Sequence, residues 1–232
     1  MILYGRNPVR EALRAGRRRI EQVWASERAA AREPWLRDAG ARIARPEEIE
    51  RRSGSPDHQG VCADAGAYPY VSPQELLSVE EPFVVALDEL QDPQNVGAIA
   101  RSAECAGVTG LVICERRAAA VTPAVAKASA GAVEHLRIAR VRNLADFLAD
   151  AKRAGAWCYG ADAAAGIAYD DPDYRGAVVL VIGAEGAGLR PRVAKSCDAL
   201  VALPLRGRIE SLNASAAAAV LMYGILQRRG SA

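Results

Sequence analysis

Several kinds of residue are scarce in this 232-residue chain, and each scarcity removes a class of protein. No apolar run approaches the roughly 18 residues that suggest a membrane span, so a membrane protein is not expected. The opening stretch MILYGRNPVREALRAG lacks the basic-then-apolar order of a secretory signal, which makes a cytoplasmic protein the expectation. The five cysteines, at 62, 105, 114, 158 and 197, are odd in number and include no Cys-x-x-Cys pair. They therefore suggest neither a disulfide framework nor a metal clip and read as small, reduced core residues. Histidine occurs only as His58 and His135, and no metal site is expected. Lysine is nearly absent, 3 residues against 27 arginines, and the net charge is only +2. Charge alone thus does not announce a polyanion partner. Arginine suits bidentate phosphate contact, but its excess alongside abundant Ala and Gly also fits a GC-rich coding bias.

Half of the chain is hydrophobic, enough for one large domain or a small one plus a medium one. Residues 1–68 alternate short elements. Asn7-Pro8 reads as an N-cap with proline at the first helical position, and Gly16 ends that helix. Strands are expected at 20–25, 42–44 and 61–67. A charged helical stretch should run to about 38, and a short helix after Pro46. Residues 69–82, with three prolines and three glutamates, read as a linker whose 74–77 part is helical. From 83 the pattern changes to continuous apolar strands at 83–87, 110–114, 137–141, 156–159, 178–182 and 200–203. Helical patterns fall between them, notably at 96–106 and 144–154. That alternation implies an α/β fold with a mainly parallel sheet covered on both faces. The last segment, 213–229, is alanine-rich and apolar around much of its circumference, so it has to be covered, either by the core or, as favoured here, by a subunit interface.

Three stretches are suited to chemistry. Asp92-Pro93-Gln94-Asn95-Val96-Gly97 follows a strand and opens a helix that carries Arg101. Asn95 is expected to cap this helix, with Arg101 on roughly the same side, where the two would hold an RNA phosphate and ribose. Gly183-Ala184-Glu185-Gly186-Ala187-Gly188-Leu189 follows an apolar strand. Its glycines run G-x-x-G-x-G, which is not the dinucleotide spacing, and its acid suits a cationic cofactor better than a pyrophosphate. A nicotinamide-dependent oxidoreductase is therefore disfavoured. Leu203 to Asn213 crosses from a strand to a helix that begins at Ser211-Leu212-Asn213, where Ser211 or Asn213 caps the helix or lines a cleft. A fourth stretch, 127–134, sets small residues at a close packing point.

Taken in order, these stretches resemble the SpoU (TrmH-like) family of RNA ribose 2′-O-methyltransferases. The front segment, with Gly5-Arg6-Asn7-Pro8-Val9 and His58-Gln59-Gly60-Val61, resembles the small RNA-binding domain of the RlmB-type branch. The resemblance implies a small α/β RNA-binding domain at 1–68, a linker at 69–82, and a methyltransferase domain at 83–232 whose chain makes a trefoil knot. It implies S-adenosyl-L-methionine as cofactor, RNA as substrate, and a homodimer formed through the C-terminal domain. The RNA would be a guanosine-containing site of 23S ribosomal RNA, with a transfer RNA or an antibiotic-resistance site as alternatives. A non-catalytic RNA-binding protein on the same fold is the alternative of another class. By matching motifs, Arg101, Asn95, Glu185, Ser211 and Asn213 are the catalytic candidates. Gly183, Gly188, Leu203 and Leu212 are the cofactor-binding candidates, and Arg6, Asn7 and Arg101 the RNA-binding ones. Many relatives carry His where this chain has Gln94, so a histidine base there is not expected. Because a guanidinium keeps its proton, Arg101 is expected to clamp phosphate and stabilise the developing oxyanion.

Overall fold

The computed structural model describes residues 1–230. The first unit runs β1 (Ile2–Tyr4), α1 (Arg6–Ala15), β2 (Ile20–Ala25), α2 (Glu27–Arg32), α3 (Trp35–Asp38), β3 (Arg42–Ile43), α4 (Pro46–Ser53), a 3₁₀ turn at Pro56–His58, and β4 (Val61–Ala65). Its sheet has the order β1-β4-β2-β3, with β4 antiparallel to both neighbours and β3 parallel to β2.

Two local expectations fail here. Helix α1 is capped by Gly5, not Asn7, and Pro8 lies inside its first turn. The cause is β1, which carried no signal beyond three residues: the chain reverses from strand to helix at Gly5, whose φ of 94° is open to glycine. Pro8 is tolerated because first-turn N–H groups have no helical partner. The charged helix also breaks at Pro34, giving α2 and α3.

Residues 69–82 do not form a free tether. Val71 bridges to Ala139, and α5 (Pro73–Leu77) starts with a capping box between Ser72 and Glu75. Leu76 is fully buried.

The second unit runs β5 (Phe83–Leu87), α6 (Pro93–Cys105), β6 (Gly110–Cys114), α7 (Pro123–Ala128), a 3₁₀ turn at Ala132–Glu134, β7 (Ile138–Val141), α8 (Leu144–Arg153), β8 (Trp157–Ala161), β9 (Ile167–Ala168), β10 (Val178–Ile182), α9 (Pro191–Ser196), β11 (Ala199–Ala202) and α10 (Ala214–Arg229). Its seven strands are ordered β7-β6-β5-β10-β8-β11-β9, and every pairing is parallel. Strands β5, β6 and β10 are buried along their whole length, as continuous apolar runs in a doubly covered sheet should be. Successive residues serve opposite faces. Val85, Leu111 and Leu180 share a core with Ile99 of α6 and Leu221, Met222 and Ile225 of α10. Val84, Val112 and Val179 share the other with Leu76, Leu144 and Leu148.

The two units are joined by buried polar contacts. Arg18 and Glu134 pair with side chains 2% and 1% exposed, and the Tyr68 hydroxyl donates to the carbonyl of Val133 at 2.7 Å. The 3₁₀ turn carrying Glu134 follows α7, and α7 packs closely on α6: a Cβ on Gly97 would come within 2.4 Å of Ala128 Cβ. The small residues at 127–134 thus occupy a close packing point. No helix among the described residues is long and apolar enough to cross a membrane.

Candidate active site at the carboxyl ends of the sheet

Helix α6 begins one turn earlier than its sequence suggests. Asp92 is the cap and accepts from the backbone N–H groups of Gln94 at 3.0 Å and Asn95 at 3.3 Å. With Pro93 fixing the first helical position, Asn95 falls inside the first turn and is buried rather than capping. Arg101 is exposed on the same helix. The expectation that the two share a side is incorrect: at 3.6 residues per turn, a residue six positions on lies roughly 120° around the axis. The Arg101 side chain makes no hydrogen bond or salt bridge among the described residues and does not line the cavity described next.

The cavity has a volume of about 660 Å³ and opens at the carboxyl ends of β8, β10 and β11, where open α/β sheets bind ligands. Its walls are the 182–189 loop, the 203–214 crossing and the end of β8. Gly183, Glu185, Gly188, Leu203, Ser211, Leu212 and Asn213 all line it. The glycine loop doubles back on itself: Ala184 and Gly188 exchange backbone hydrogen bonds of 3.1 and 2.9 Å. A Cβ on Gly183 would stand 2.3 Å from the carbonyl carbon of Gly188, so only glycine permits this closure. The foot of the loop is pinned by Arg190, whose backbone N–H and Nε each donate to buried Asp88 at 2.8 Å. That carboxylate in turn raises the guanidinium's pKa.

Asn213 joins the three stretches. It caps α10 by accepting from Ser215 N–H at 2.9 Å and Ala216 N–H at 3.2 Å. The helix therefore starts at Ala214, after the Ser-Leu-Asn triplet. Its amide Nδ2 donates to Asn95 Oδ1 at 2.9 Å and to Glu185 Oε1 at 2.6 Å. The structure thus brings Asn95, Glu185 and Asn213 into one hydrogen-bonded group, with Ser211 exposed at the cavity's edge. Arg6 lies in the first unit, where its backbone N–H donates to Gln59 and its guanidinium pairs with Glu33; Asn7 is exposed beside it.

Sequence reasoning missed Asp162, Leu205 and Glu210, which also line the cavity. Asp162 was reachable from the rule that sheet ligands sit at strand carboxyl ends, since it follows β8. The Asp88–Arg190 clasp, 102 residues apart, has no local signal.

The fold and this site correspond to an RNA methyltransferase. The SpoU rRNA Methylase family matches residues 82–223, and the RNA 2′-O ribose methyltransferase substrate binding family matches residues 2–71. The chain belongs to the SpoU family. It is 45% identical over 177 residues to the TrmH family protein YacO of Bacillus subtilis, covering 74% of this chain and 71% of that one. It is 34% identical to a TrmH family protein of Staphylococcus haemolyticus, covering 99% and 96%. Among solved structures, it superposes on the SpoU methyltransferase AviRb from Streptomyces viridochromogenes in complex with AdoMet. The TM-score is 0.83, the identity 25%, and the coverage 100% of this chain and 91% of that one.

The cofactor is S-adenosyl-L-methionine, and the cavity suits it. The glycine loop offers backbone at close range, and Leu189, Leu203, Leu205 and Leu212 offer apolar wall for a heterocycle. The lining charges are Asp162, Glu185 and Glu210, all acidic, as a cationic sulfonium tolerates and a pyrophosphate does not. No cluster of three or more potential metal ligands occurs among the described residues.

Proposed function

We propose that this chain methylates the 2′-hydroxyl of a ribose in RNA, at a guanosine of 23S ribosomal RNA, working as a homodimer in the cytoplasm. The observation that carries this reading is the Asn213 amide, which ties Asn95 and Glu185 together at the edge of the cavity. The proposed division of labour follows the chain: 1–68 holds RNA, 69–82 connects, and 83–232 performs the transfer. The 203–213 segment passes the 182–189 loop in the trefoil knot of the family.

When bound, S-adenosyl-L-methionine supplies a methyl group already activated on sulfur, so the protein's task is mainly orientation. Backbone around Gly183, Gly188, Leu203 and Leu212 holds the cofactor. Asn95, Asn213 and Ser211 orient the ribose by hydrogen bonds, and Glu185 fixes the Asn213 amide. Arg101 stands away from its own cavity, so it serves the partner's site. There it grips phosphate with its planar fork and stabilises the negative charge that develops on the ribose oxygen as the hydroxyl proton passes to solvent. The apolar residues Val220, Tyr223 and Leu226, exposed on α10, support pairing of two copies through this domain.

Relatives are named for both transfer and ribosomal RNA, so the assay takes both. Tritiated methyl transfer into ribosomal and transfer RNA from a strain lacking the gene is expected to label the 23S fraction. Label confined to transfer RNA would overturn the ribosomal assignment. A non-catalytic RNA binder would label neither, but the intact Asn95–Glu185–Asn213 group argues against that reading.

A further inference from the structure

One buried acid holds both feet of the glycine loop. Asp88 is the first residue past β5, and its side chain is fully buried. Its backbone N–H donates to the carbonyl of Ile182 at 2.8 Å, where the loop leaves β10. Its carboxylate accepts from the backbone N–H of Arg190 at 2.8 Å, where the loop ends. The Arg190 guanidinium closes the same contact, with Nε at 2.8 Å and Nη2 at 2.6 Å from Oδ1. A second arm, Nη1, donates to Glu89 Oε1 at 2.9 Å. Asp88, Glu89 and Arg190 do not line the cofactor cavity, so they act on it through the chain they hold.

The same residues reach the other side of the site. Asp88 stands four positions before Asp92, which caps the helix that carries Asn95. The turn between them is tightly determined. Glu89 adopts a φ of 55°, a left-handed conformation that non-glycine residues keep only where their surroundings impose it. Leu90 is buried, and its carbonyl accepts from Ala119 N–H at 2.9 Å. The loop bearing Glu185 and the helix bearing Asn95 thus share one anchor, in addition to the Asn213 amide that joins them at the cavity's edge.

We propose that the Asp88–Arg190–Glu89 clasp is a positioning device for methyl transfer. It sets the cofactor loop in register with the first turn of α6, so that Glu185 and Asn95 meet the Asn213 amide together. The proposal rests on the reading of Asn95, Glu185 and Asn213 as the reacting site. Stability alone is a poor reason for such a pair, because desolvation of the buried carboxylate offsets much of the attraction. A displacement of about 1 Å, caused by a change far from the chemistry, costs on the order of a hundredfold in rate, so a loosened anchor is felt at the reacting atoms.

The test compares variants of the full chain by two readouts. One is calorimetric affinity for S-adenosyl-L-methionine, and the other is steady-state methyl transfer to 23S ribosomal RNA made in vitro without modifications. Arg190→Gln should weaken cofactor binding and lower kcat at saturating cofactor, each at least about tenfold, with the KM for RNA within about twofold of wild type. Arg190→Lys keeps the backbone bond and a cation but loses the planar fork, so both values should lie between those two proteins. Glu89→Gln leaves the buried Asp88 contact whole. It should keep wild-type thermal stability and still lower kcat, and it carries the test if Arg190→Gln does not fold. Arg192→Gln removes a nearby exposed arginine, paired with Asp146 at 3.0 Å, and should behave as wild type. Wild-type affinity and kcat in folded Arg190→Gln, or wild-type kcat in Glu89→Gln, would overturn the clasp. So would equal losses in Arg192→Gln, or a raised KM for RNA with cofactor affinity unchanged. Cofactor binding without methyl transfer by wild type would instead sink the reading of the reacting site, and cofactor affinity in Arg190→Gln would still decide whether the clasp holds the loop.

Discussion

Asn213 and Asn95, 118 residues apart, share a 2.9 Å hydrogen bond, and that single bond couples the cap of α10 to the first turn of α6. Asn213 spends its carbonyl oxygen on the helix and its amide on the site. Asn213→Ala removes both functions. Loss of the cap should lower stability by about 1 kcal/mol, read by urea denaturation. Methyl transfer should fall at least about tenfold. Asn213→Asp retains the cap oxygen but places a carboxylate beside Glu185, so it should recover stability without recovering turnover. Full activity in both variants would remove Asn213 from the site.

Arg101→Lys separates a clamp from a structural arginine. The residue is exposed and lies outside its own cavity, so thermal stability and calorimetric cofactor affinity should be unchanged. Turnover should drop at least about tenfold, because an ammonium cannot reproduce the guanidinium fork. Near-normal turnover with lysine would contradict the clamp.

Gly183→Ala tests the folded glycine loop. The added methyl meets the Gly188 backbone at 2.3 Å, which a side chain rotation cannot relieve. S-adenosyl-L-methionine affinity should fall at least about tenfold by calorimetry. Gly186→Ala is the contrast for space: its Cβ meets nothing within 4 Å, and only its φ of 73° is strained. It should cost less affinity than Gly183→Ala.

Much of this arrangement was legible in the sequence, and the legible parts share a cause. Strands 83–87, 110–114 and 178–182 are legible to their bounds because burial on both faces demands an unbroken apolar run. The Asn95, Glu185 and Asn213 stretches stood out through local turn and cap chemistry. What was not legible depends on distant contacts. Strand β1 is three residues long and exists through its pairing with β4. The start of α6 at Asp92 is not legible locally, because asparagine and aspartate are both good caps and only tertiary packing turns Asn95 inward. Arg18–Glu134 and Asp88–Arg190 join residues more than a hundred positions apart, and no periodicity marks them.

The buried Arg18–Glu134 pair should behave as a joint between the two units. Glu134→Gln strands a buried guanidinium and should cost roughly 3–5 kcal/mol in urea denaturation. The double variant R18M/E134L, which removes both charges, should recover much of that loss. A single-variant cost below about 1 kcal/mol would show that the pair does not hold the joint.

A second contact between the units, Glu11 of α1 with His135 at 2.9 Å, should weaken in acid. Burial pushes the Glu11 carboxyl up, but hydrogen bonds from His135, Arg14 and Arg10 outweigh it and hold the group below its ordinary value. A carboxylate depressed in the folded state stabilises above its unfolded pKa, and that contribution is lost as pH falls through the folded value. Stability should therefore decline as pH drops below the ordinary carboxylate range, and Glu11→Gln should show a shallower decline. Identical pH profiles for the two proteins would exclude Glu11 as a contributor.

The most direct measurement is the position of the transferred methyl group. Purified protein, tritiated S-adenosyl-L-methionine and 23S ribosomal RNA lacking the modification are incubated, the RNA is digested to nucleosides, and the labelled product is identified by chromatography and mass spectrometry. The expected result is label in a single 2′-O-methylated nucleoside, 2′-O-methylguanosine, reduced at least about tenfold by Asn213→Ala. Label on a base, or no transfer to RNA by the wild-type protein, would contradict ribose methylation at this site.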